Sequence, residues 1–492
     1  MPPSGGRIES VRLARMLGDW RSNDRGLVRA LALGIGQLIT ENHLPDGVLL
    51  PSQRNLAAAL AISRSTVTET YEALAAVDVV ESFQRSGCRV RRKGFASING
   101  TTEGESAGTL GSGLRLDPLS SYDIASGALP GLPVVAQAVA DIDHRRLLAH
   151  VAAGGFFPAG LPELRNIVAE YYTDLGMPTT GKNIVITGGA QQATWLIAQL
   201  LIGPVDEVVV EDPTSRRTLD VLRRAGTRLL SVPLADTGLR LDLLEQLIAH
   251  RRPRLVYCQP VVHDPTGVTM DQQTIRGIAR ILEAHRTFCV EDASSAELLF
   301  DERRRRHGLG TLLPMEQLLT VSTLSKLTWG GLRVGWIRGS AHVIERLTEL
   351  KRSIDLTSSV LDQLVAVELL KRLPEIRSRR TSDLHRGVVD TRRTIARIQP
   401  SWRWTEPSGG TGLWVDTGSD AAVIGSALRA RGVRALTGPE HFSPFGGMNC
   451  YLSLPLWYPE DELEQALQGL GDGARSVPVN VLMNGSTGTA HG

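Results

Sequence analysis

Between residues 183 and 322 one pattern recurs: a short unbroken apolar run, then a stretch whose apolar residues return at helical spacing. The runs are 183–187, 207–211, 228–232, 254–258, 287–292 and 318–322, and helical patterns such as 191–201 and 218–226 lie between them. A strand that is apolar along its whole length must be covered on both faces. Parallel strands also need a crossover between them, and a helix is the usual one. The pattern therefore predicts an α/β body with a mostly parallel sheet. Such sheets take ligands at the carboxyl ends of their strands, so the residues just after each run are the candidates for chemistry.

A chain of 492 residues is long enough for more than one domain. Residues 96–121 are dominated by Gly, Ser and Thr and lose all apolar periodicity. They read as a flexible linker with a root-mean-square span of about 28 Å. This divides the chain into a head (1–95), the linker, a body (122–475) and a tail (476–492) expected to be disordered. The net charge of +2 hides an asymmetry: the head carries 13 basic against 9 acidic residues, the remainder 41 against 43. A basic head on a near-neutral body points to a nucleic-acid module. The four cysteines, Cys88, Cys258, Cys289 and Cys450, are far apart, which speaks against a zinc site or a bridged secreted scaffold. No apolar run approaches the roughly 18 residues of a membrane span, and residues 1–10 lack the features of a signal peptide. The expected compartment is the cytoplasm.

In the head, residues 26–44 read as an amphipathic helix that ends near Pro45 and Gly47. Ser52 is placed to cap a second helix, and Ser63 to cap a third that opens Arg64-Ser65-Thr66. Two helices joined by a tight turn suit a recognition helix in a major groove, with Arg64, Ser65 and Thr66 at its leading end. Residues 79–92 alternate around Ser86-Gly87 and read as a two-stranded wing with Arg85 at its tip. The pattern Leu44-Pro-x-Gly-x-x-Leu-Pro-Ser-x-Arg-x-Leu-Ala, then Ser63-Arg-x-Thr-Val and Tyr71-Glu-x-Leu, resembles the GntR-type winged helix. The resemblance implies binding to double-stranded operator DNA, with Arg54, Arg64 and Thr66 as contacts and Gly87 as the wing turn.

Three motifs in the body point to pyridoxal 5'-phosphate. Lys326 lies in a Ser/Thr-rich turn after the run 318–322, and Arg333 follows seven residues later. A Schiff-base lysine needs a desolvated site beside a phosphate anchor, which Thr323, Ser325 and the Arg333 guanidinium can supply. Asp292 closes the run 287–292, where a carboxylate can pair with a pyridine nitrogen. Gly188-Gly189-Ala190-Gln191 leads from a strand into a helix, whose first N–H groups suit a phosphate. No metal site is read. The order of these motifs, with residues 261–270 between them and the segments 156–172 and 211–226 beside them, resembles fold type I aminotransferases. The whole chain resembles MocR/GabR-type transcriptional regulators. The resemblance implies a homodimer, a smaller C-terminal α+β subdomain, and Lys326, Asp292 and Arg333 as Schiff-base, pyridine-nitrogen and phosphate residues.

The departures from that family bear on function. Ser215 stands where the family has a ring-stacking aromatic, and Ser294 where it has a tyrosine. Asp264 replaces the asparagine of the Asn-Pro-Thr-Gly motif, and Ser453 the arginine that grips an α-carboxylate. No arginine occurs from 435 to 470. A buried carboxylate without a paired charge is costly, so transamination of ordinary amino acids is not expected. No catalytic residue is assigned. The expectation is a regulator whose small-molecule effector is the cofactor itself or an amine or amino-acid-like compound. An aminotransferase with a DNA-binding head and a cofactor-free dimeric scaffold are the alternatives.

Overall fold

The computed structural model describes residues 8–18, 20, 27–40, 44, 47–76, 80–83, 87–90, 122–125, 129–235, 238–301, 308–429, 432–438, 442–444 and 447–468. The linker 96–121, the tail 476–492 and Arg85 lie outside them. The chain divides into two compact units, 1–107 and 108–492.

The first unit has helices α1 (Ser10–Leu17), α2 (Leu27–Thr40), α3 (Gln53–Leu60) and α4 (Arg64–Ala76), then strands β1 (Val80–Phe83) and β2 (Gly87–Val90). Ser52 caps α3 by accepting the Asn55 N–H at 3.2 Å, and Ala61, left-handed at φ 52°, ends it. Ser63 accepts the Thr66 N–H at 3.1 Å and so starts α4 one short turn later. Leu13, Leu31, Ile35, Leu56 and Val67 are fully buried between the helices. Each such leucine contributes about 1.5–3 kcal/mol by leaving water. The strands form an antiparallel hairpin that pairs Val80 with Val90 and Phe83 with Gly87.

In the second unit, β3 is the short strand Tyr122–Asp123. The main sheet contains β4 (Ile184–Thr187), β5 (Glu207–Asp212), β6 (Arg228–Ala235), β7 (Gly238–Leu239), β8 (Leu255–Cys258), β9 (Phe288–Asp292), β10 (Leu318–Thr323) and β11 (Gly335–Arg338). Their spatial order is β4-β11-β10-β9-β8-β5-β6-β7. Strands β10, β9, β8, β5 and β6 are parallel; β11 runs against both β10 and β4, and β7 forms a short antiparallel edge. All six apolar runs lie in this sheet. Side chains alternate between its faces. Val208 and Val210 pack with Leu196 and Leu219 of the helices Ala190–Leu201 and Arg216–Arg224. Val209 packs with Leu244 and Ile278 of the helices Leu241–Arg251 and Gln272–His285.

A second sheet, ordered β12-β13-β16-β15, is antiparallel and comprises β12 (Arg403–Trp404), β13 (Gly412–Asp416), β15 (Leu436–Thr437) and β16 (Tyr451–Pro455). With the helices Ala421–Arg429 and Glu460–Leu467 it forms a smaller α+β subdomain. Strand β14 (Val433–Arg434) pairs with β3, and Arg434 forks onto the Asp123 carboxylate. Among the described residues, no helix is long and apolar enough to cross a membrane.

Candidate cofactor pocket and DNA-facing helix

On the first unit, Arg54 projects from α3, and Arg64 and Ser65 open α4; all three are exposed. Neither guanidinium has a hydrogen-bond or ion-pair partner among the described residues. Ser63, Ser65 and Thr66 share a chain of hydroxyl contacts of 2.7–2.8 Å at the same helix end. Gly87 begins β2. Tyr71 anchors the two helices by donating its hydroxyl hydrogen to the Pro51 carbonyl at 2.9 Å.

The carboxyl end of the main sheet gathers the body residues. Strand β10 delivers Thr323, whose Oγ1 donates to the Val334 carbonyl at 2.8 Å and accepts the Ser325 N–H at 3.2 Å. These bonds pinch the base of the loop that carries Lys326. Arg380 braces the same loop from the long helix Leu373–Ile398. It donates to the carbonyls of Leu327 and Thr328 at 2.9 and 2.7 Å, and to that of Pro130 at 2.9 Å. Burial brings the Arg380 pKa down to about 10.

Lys326 Nζ donates to Asp264 Oδ2 at 2.8 Å and to Ser295 Oγ at 2.7 Å. Burial alone would raise the Asp264 carboxyl. The Lys326 ammonium, with Arg217 and His263 beyond it, outweighs that and holds the carboxyl below its usual range. Asp292 is buried and held by four hydrogen bonds. Its Oδ2 accepts from the Tyr257 hydroxyl and Gln259 Nε2, both at 2.9 Å, and its Oδ1 from the Ser294 N–H at 2.9 Å and the Ser294 hydroxyl. Burial, reinforced by the Asp292 charge, pushes the Tyr257 hydroxyl pKa well up, so it stays a donor.

Arg333, left-handed at φ 53°, turns its guanidinium onto the carbonyl oxygen of Gly188. Gly189 has φ 109°, and a Cβ there would lie 2.8 Å from Arg333 Nη2. The helix Ala190–Leu201 starts immediately afterwards, and Gln191 is exposed in its first turn. Burial and the neighbouring Arg217 charge both lower the Arg333 pKa. Two guanidiniums beside a helix N-terminus form a place that an anion stabilises.

The structure thus brings Lys326, Asp264 and Ser295 into one cluster and Arg333, Gly189 and Ala190 into another. Sequence reasoning places the missing tyrosine at Ser294. Ser294 instead caps Asp292, and Ser295 is the residue that reaches the lysine. Tyr257, Gln259, Ser295 and Arg217 carry no sequence signal strong enough to single out. Ser215 sits at the start of the helix Arg216–Arg224 and makes no side-chain cap. Ser453 lies on β16 opposite Trp414 of β13. His263 is buried, 2.8 Å from Thr266 Oγ1 and 3.4 Å from Glu211. Cys258 and Cys289 are buried core thiols.

Residues 119–439 match the aminotransferase class I and II family, and residues 27–90 match the gntR family of bacterial regulatory proteins. The chain belongs to the class I and II aminotransferase family. Its relatives in that family divide between two kinds of name. An uncharacterized HTH-type transcriptional regulator of Bacillus subtilis, YdfD, is 27% identical over 410 residues, covering 77% of this chain and 82% of its own. Aromatic-amino-acid aminotransferase 1 of Thermococcus litoralis is 25% identical over 389 residues, covering 73% and 89%. Among solved structures, LysN of Thermus thermophilus, an alpha-aminoadipate aminotransferase complexed with N-(5'-phosphopyridoxyl)-L-leucine, superposes with a TM-score of 0.64. It covers 70% of this chain and 90% of its own at 24% identity, a likeness of fold.

Proposed function

We propose that this protein is a transcriptional regulator whose head binds operator DNA and whose body responds to pyridoxal 5'-phosphate. The observation that carries this reading is the gathering of Lys326, Asp292 and Arg333 at one sheet end, in a chain whose other unit exposes Arg54 and Arg64, neither with a side-chain partner among the described residues.

The pocket residues suit the cofactor. The Arg333–Arg217 pair, Gly189, whose missing side chain leaves room for the Arg333 guanidinium, and the N–H groups at Ala190 and Gln191 favour a phosphate dianion. Ser325 offers a hydroxyl beside them, and Thr323 holds Ser325 in place. Asp292 is a carboxylate placed for a pyridine nitrogen, and Lys326 an amine placed for an aldehyde. When bound, the cofactor supplies that aldehyde and an electron-accepting ring. In the head, Arg54 and Arg64 contact phosphates and bases, Ser65 and Thr66 contact phosphates, and the wing through Arg85 and Gly87 follows the adjacent backbone.

The role is regulatory rather than catalytic. Ser453 and the lack of any arginine from 435 to 470 leave an α-carboxylate without a partner charge. Regulation needs only different affinities for two states, which the cofactor or a carboxylate-free amine can supply. Two copies associate through their bodies, so that paired heads engage paired half-sites in the cytoplasm.

The test begins by selecting bound duplexes from a random-sequence library and measuring their affinity by fluorescence anisotropy with and without pyridoxal phosphate. Affinity that depends on sequence, falls steeply with salt and changes with the cofactor supports the reading. Binding that ignores sequence overturns the head's role, and binding that ignores the cofactor overturns the body's. Sustained conversion of amino acids by the loaded protein favours the enzyme instead.

A further inference from the structure

We propose that Asp264 is a latch on Lys326: the carboxylate–ammonium contact must open before the lysine nitrogen can react, so Asp264 sets how fast the body takes up an aldehyde ligand. The uptake consequence rests on the cofactor reading above; the latch itself does not.

The geometry is specific. Lys326 Nζ sits 2.8 Å from Asp264 Oδ2 and 2.7 Å from Ser295 Oγ, with its two partners on different loops. The Asp264 side chain is 34% exposed and that of Lys326 16%, so water and small reagents reach the pair without unfolding. Asp264 is itself fixed. Its N–H donates to Gln259 Oε1 at 2.7 Å, while Gln259 Nε2 holds Asp292 at 2.9 Å. Gln259 is in turn pinned by its own N–H on both oxygens of Glu211, at 3.1 and 3.0 Å. The latch is therefore tied to the carboxylate assigned to the ligand's ring.

The charged and titratable groups that act on Asp264 are Lys326 in contact and Arg217 and His263 further off. Lys326 is the one cation bonded to it among the described residues, so the pair is mutual. An ammonium has no lone pair to offer an aldehyde carbon. Uptake breaks the carbon–oxygen double bond and forms a carbon–nitrogen one. The oxygen leaves as water with two of the ammonium's three protons, and the third stays on nitrogen. A neutral residue at 264 removes the charged partner that the nitrogen has to leave; a carboxylate keeps the nitrogen engaged at 2.8 Å. Asp264 acts through Lys326 and is a positioning residue.

The experiment labels the full-length, cofactor-free protein with trace acetic anhydride at neutral pH. Modification at each lysine is then read by peptide mass spectrometry. The chain has five lysines, so every site is resolved. Exposed Lys182 is the internal reference, and fully buried Lys351 reports unfolding. We expect Asp264→Asn to speed labelling of Lys326 relative to Lys182 by roughly tenfold, the scale of one charge-assisted hydrogen bond. Asp264→Glu keeps the charge and should stay slow, and Ser295→Ala should change the rate less than Asp264→Asn. Should Asp264→Asn expose Lys351, Asp264→Ala is read in its place. Equal rates in wild type and the neutral variants overturn the latch, as does fast labelling in Asp264→Glu. Repeating the series with pyridoxal phosphate and borohydride separates the two ideas: a latch seen with anhydride but no phosphopyridoxyl-Lys326 leaves the latch standing and removes the cofactor reading.

Discussion

Tyr257 donates its hydroxyl hydrogen to Asp292 at 2.9 Å, from one sheet strand to the next. Gln259 is the second donor to the same oxygen, so Tyr257→Phe leaves a buried carboxylate oxygen one bond short. A hydrogen bond to a charged partner contributes about 1.5–3 kcal/mol, and the variant should lose roughly that much against urea. Pyridoxal phosphate affinity should fall with it, since Asp292 then keeps three of the four hydrogen bonds that orient it. Unchanged unfolding and unchanged affinity would remove Tyr257 from the site.

Gly189→Ala tests the phosphate end. The position is left-handed at φ 109°, and the added methyl lies 2.8 Å from Arg333 Nη2. The backbone strain costs about 1–3 kcal/mol, and Arg333 has to move. We expect a lowered urea midpoint together with a loss of phosphate-dependent binding, measured as pyridoxal phosphate against pyridoxal.

Glu291 gives a pH dependence. Burial raises its carboxyl from 4.5 to about 7, more than the Leu309 and Gly310 N–H groups lower it. The folded state therefore holds a proton that the unfolded chain releases. This contribution is present below pH 4.5 and is lost as pH rises to about 7. Glu291→Gln should flatten that decline and be more stable than wild type above pH 7 but not at pH 4.5. Urea midpoints across this range measure it, and parallel curves for the two proteins would contradict it.

Arg54→Ala and Arg64→Ala test the head. Each removes one exposed cation from a helix-turn-helix surface. The slope of log affinity against log salt should become shallower by roughly one for each phosphate left without its arginine. An arginine that reads a base should also relax preference at one position of the selected duplex. A variant with unaltered slope and preference does not touch DNA.

Much of the fold is legible in the sequence because parallel strands covered on both faces leave unbroken apolar runs, and all six such runs are sheet strands. Strand β11 is not legible. Its four residues, Gly335–Arg338, begin two residues after Arg333, and they are a strand because β10 and β4 flank them. In the site, Lys326 and Asp292 stand out because each is a charged residue at or just past the end of an apolar run, and Arg333 because it follows Lys326 by seven residues. Tyr257 and Gln259 do not, since a tyrosine and a glutamine at the end of an apolar run read as ordinary core and loop. Ser294 and Ser295 differ by one step along a turn. Counting along that turn does not reveal which hydroxyl swings toward the lysine; Ser295 does, while Ser294 bonds Asp292. Arg217 depends on the facing of a whole helix, which spacing alone does not give.

Whether Lys326 makes the body a pyridoxal phosphate receptor is read from the visible absorption spectrum of the purified protein titrated with pyridoxal phosphate, beside Lys326→Ala. We expect a new long-wavelength band that saturates with cofactor, is fixed to Lys326 by borohydride and is missing from the variant. Identical spectra from the two proteins, with no phosphopyridoxyl group on Lys326, would show that the body is not such a receptor.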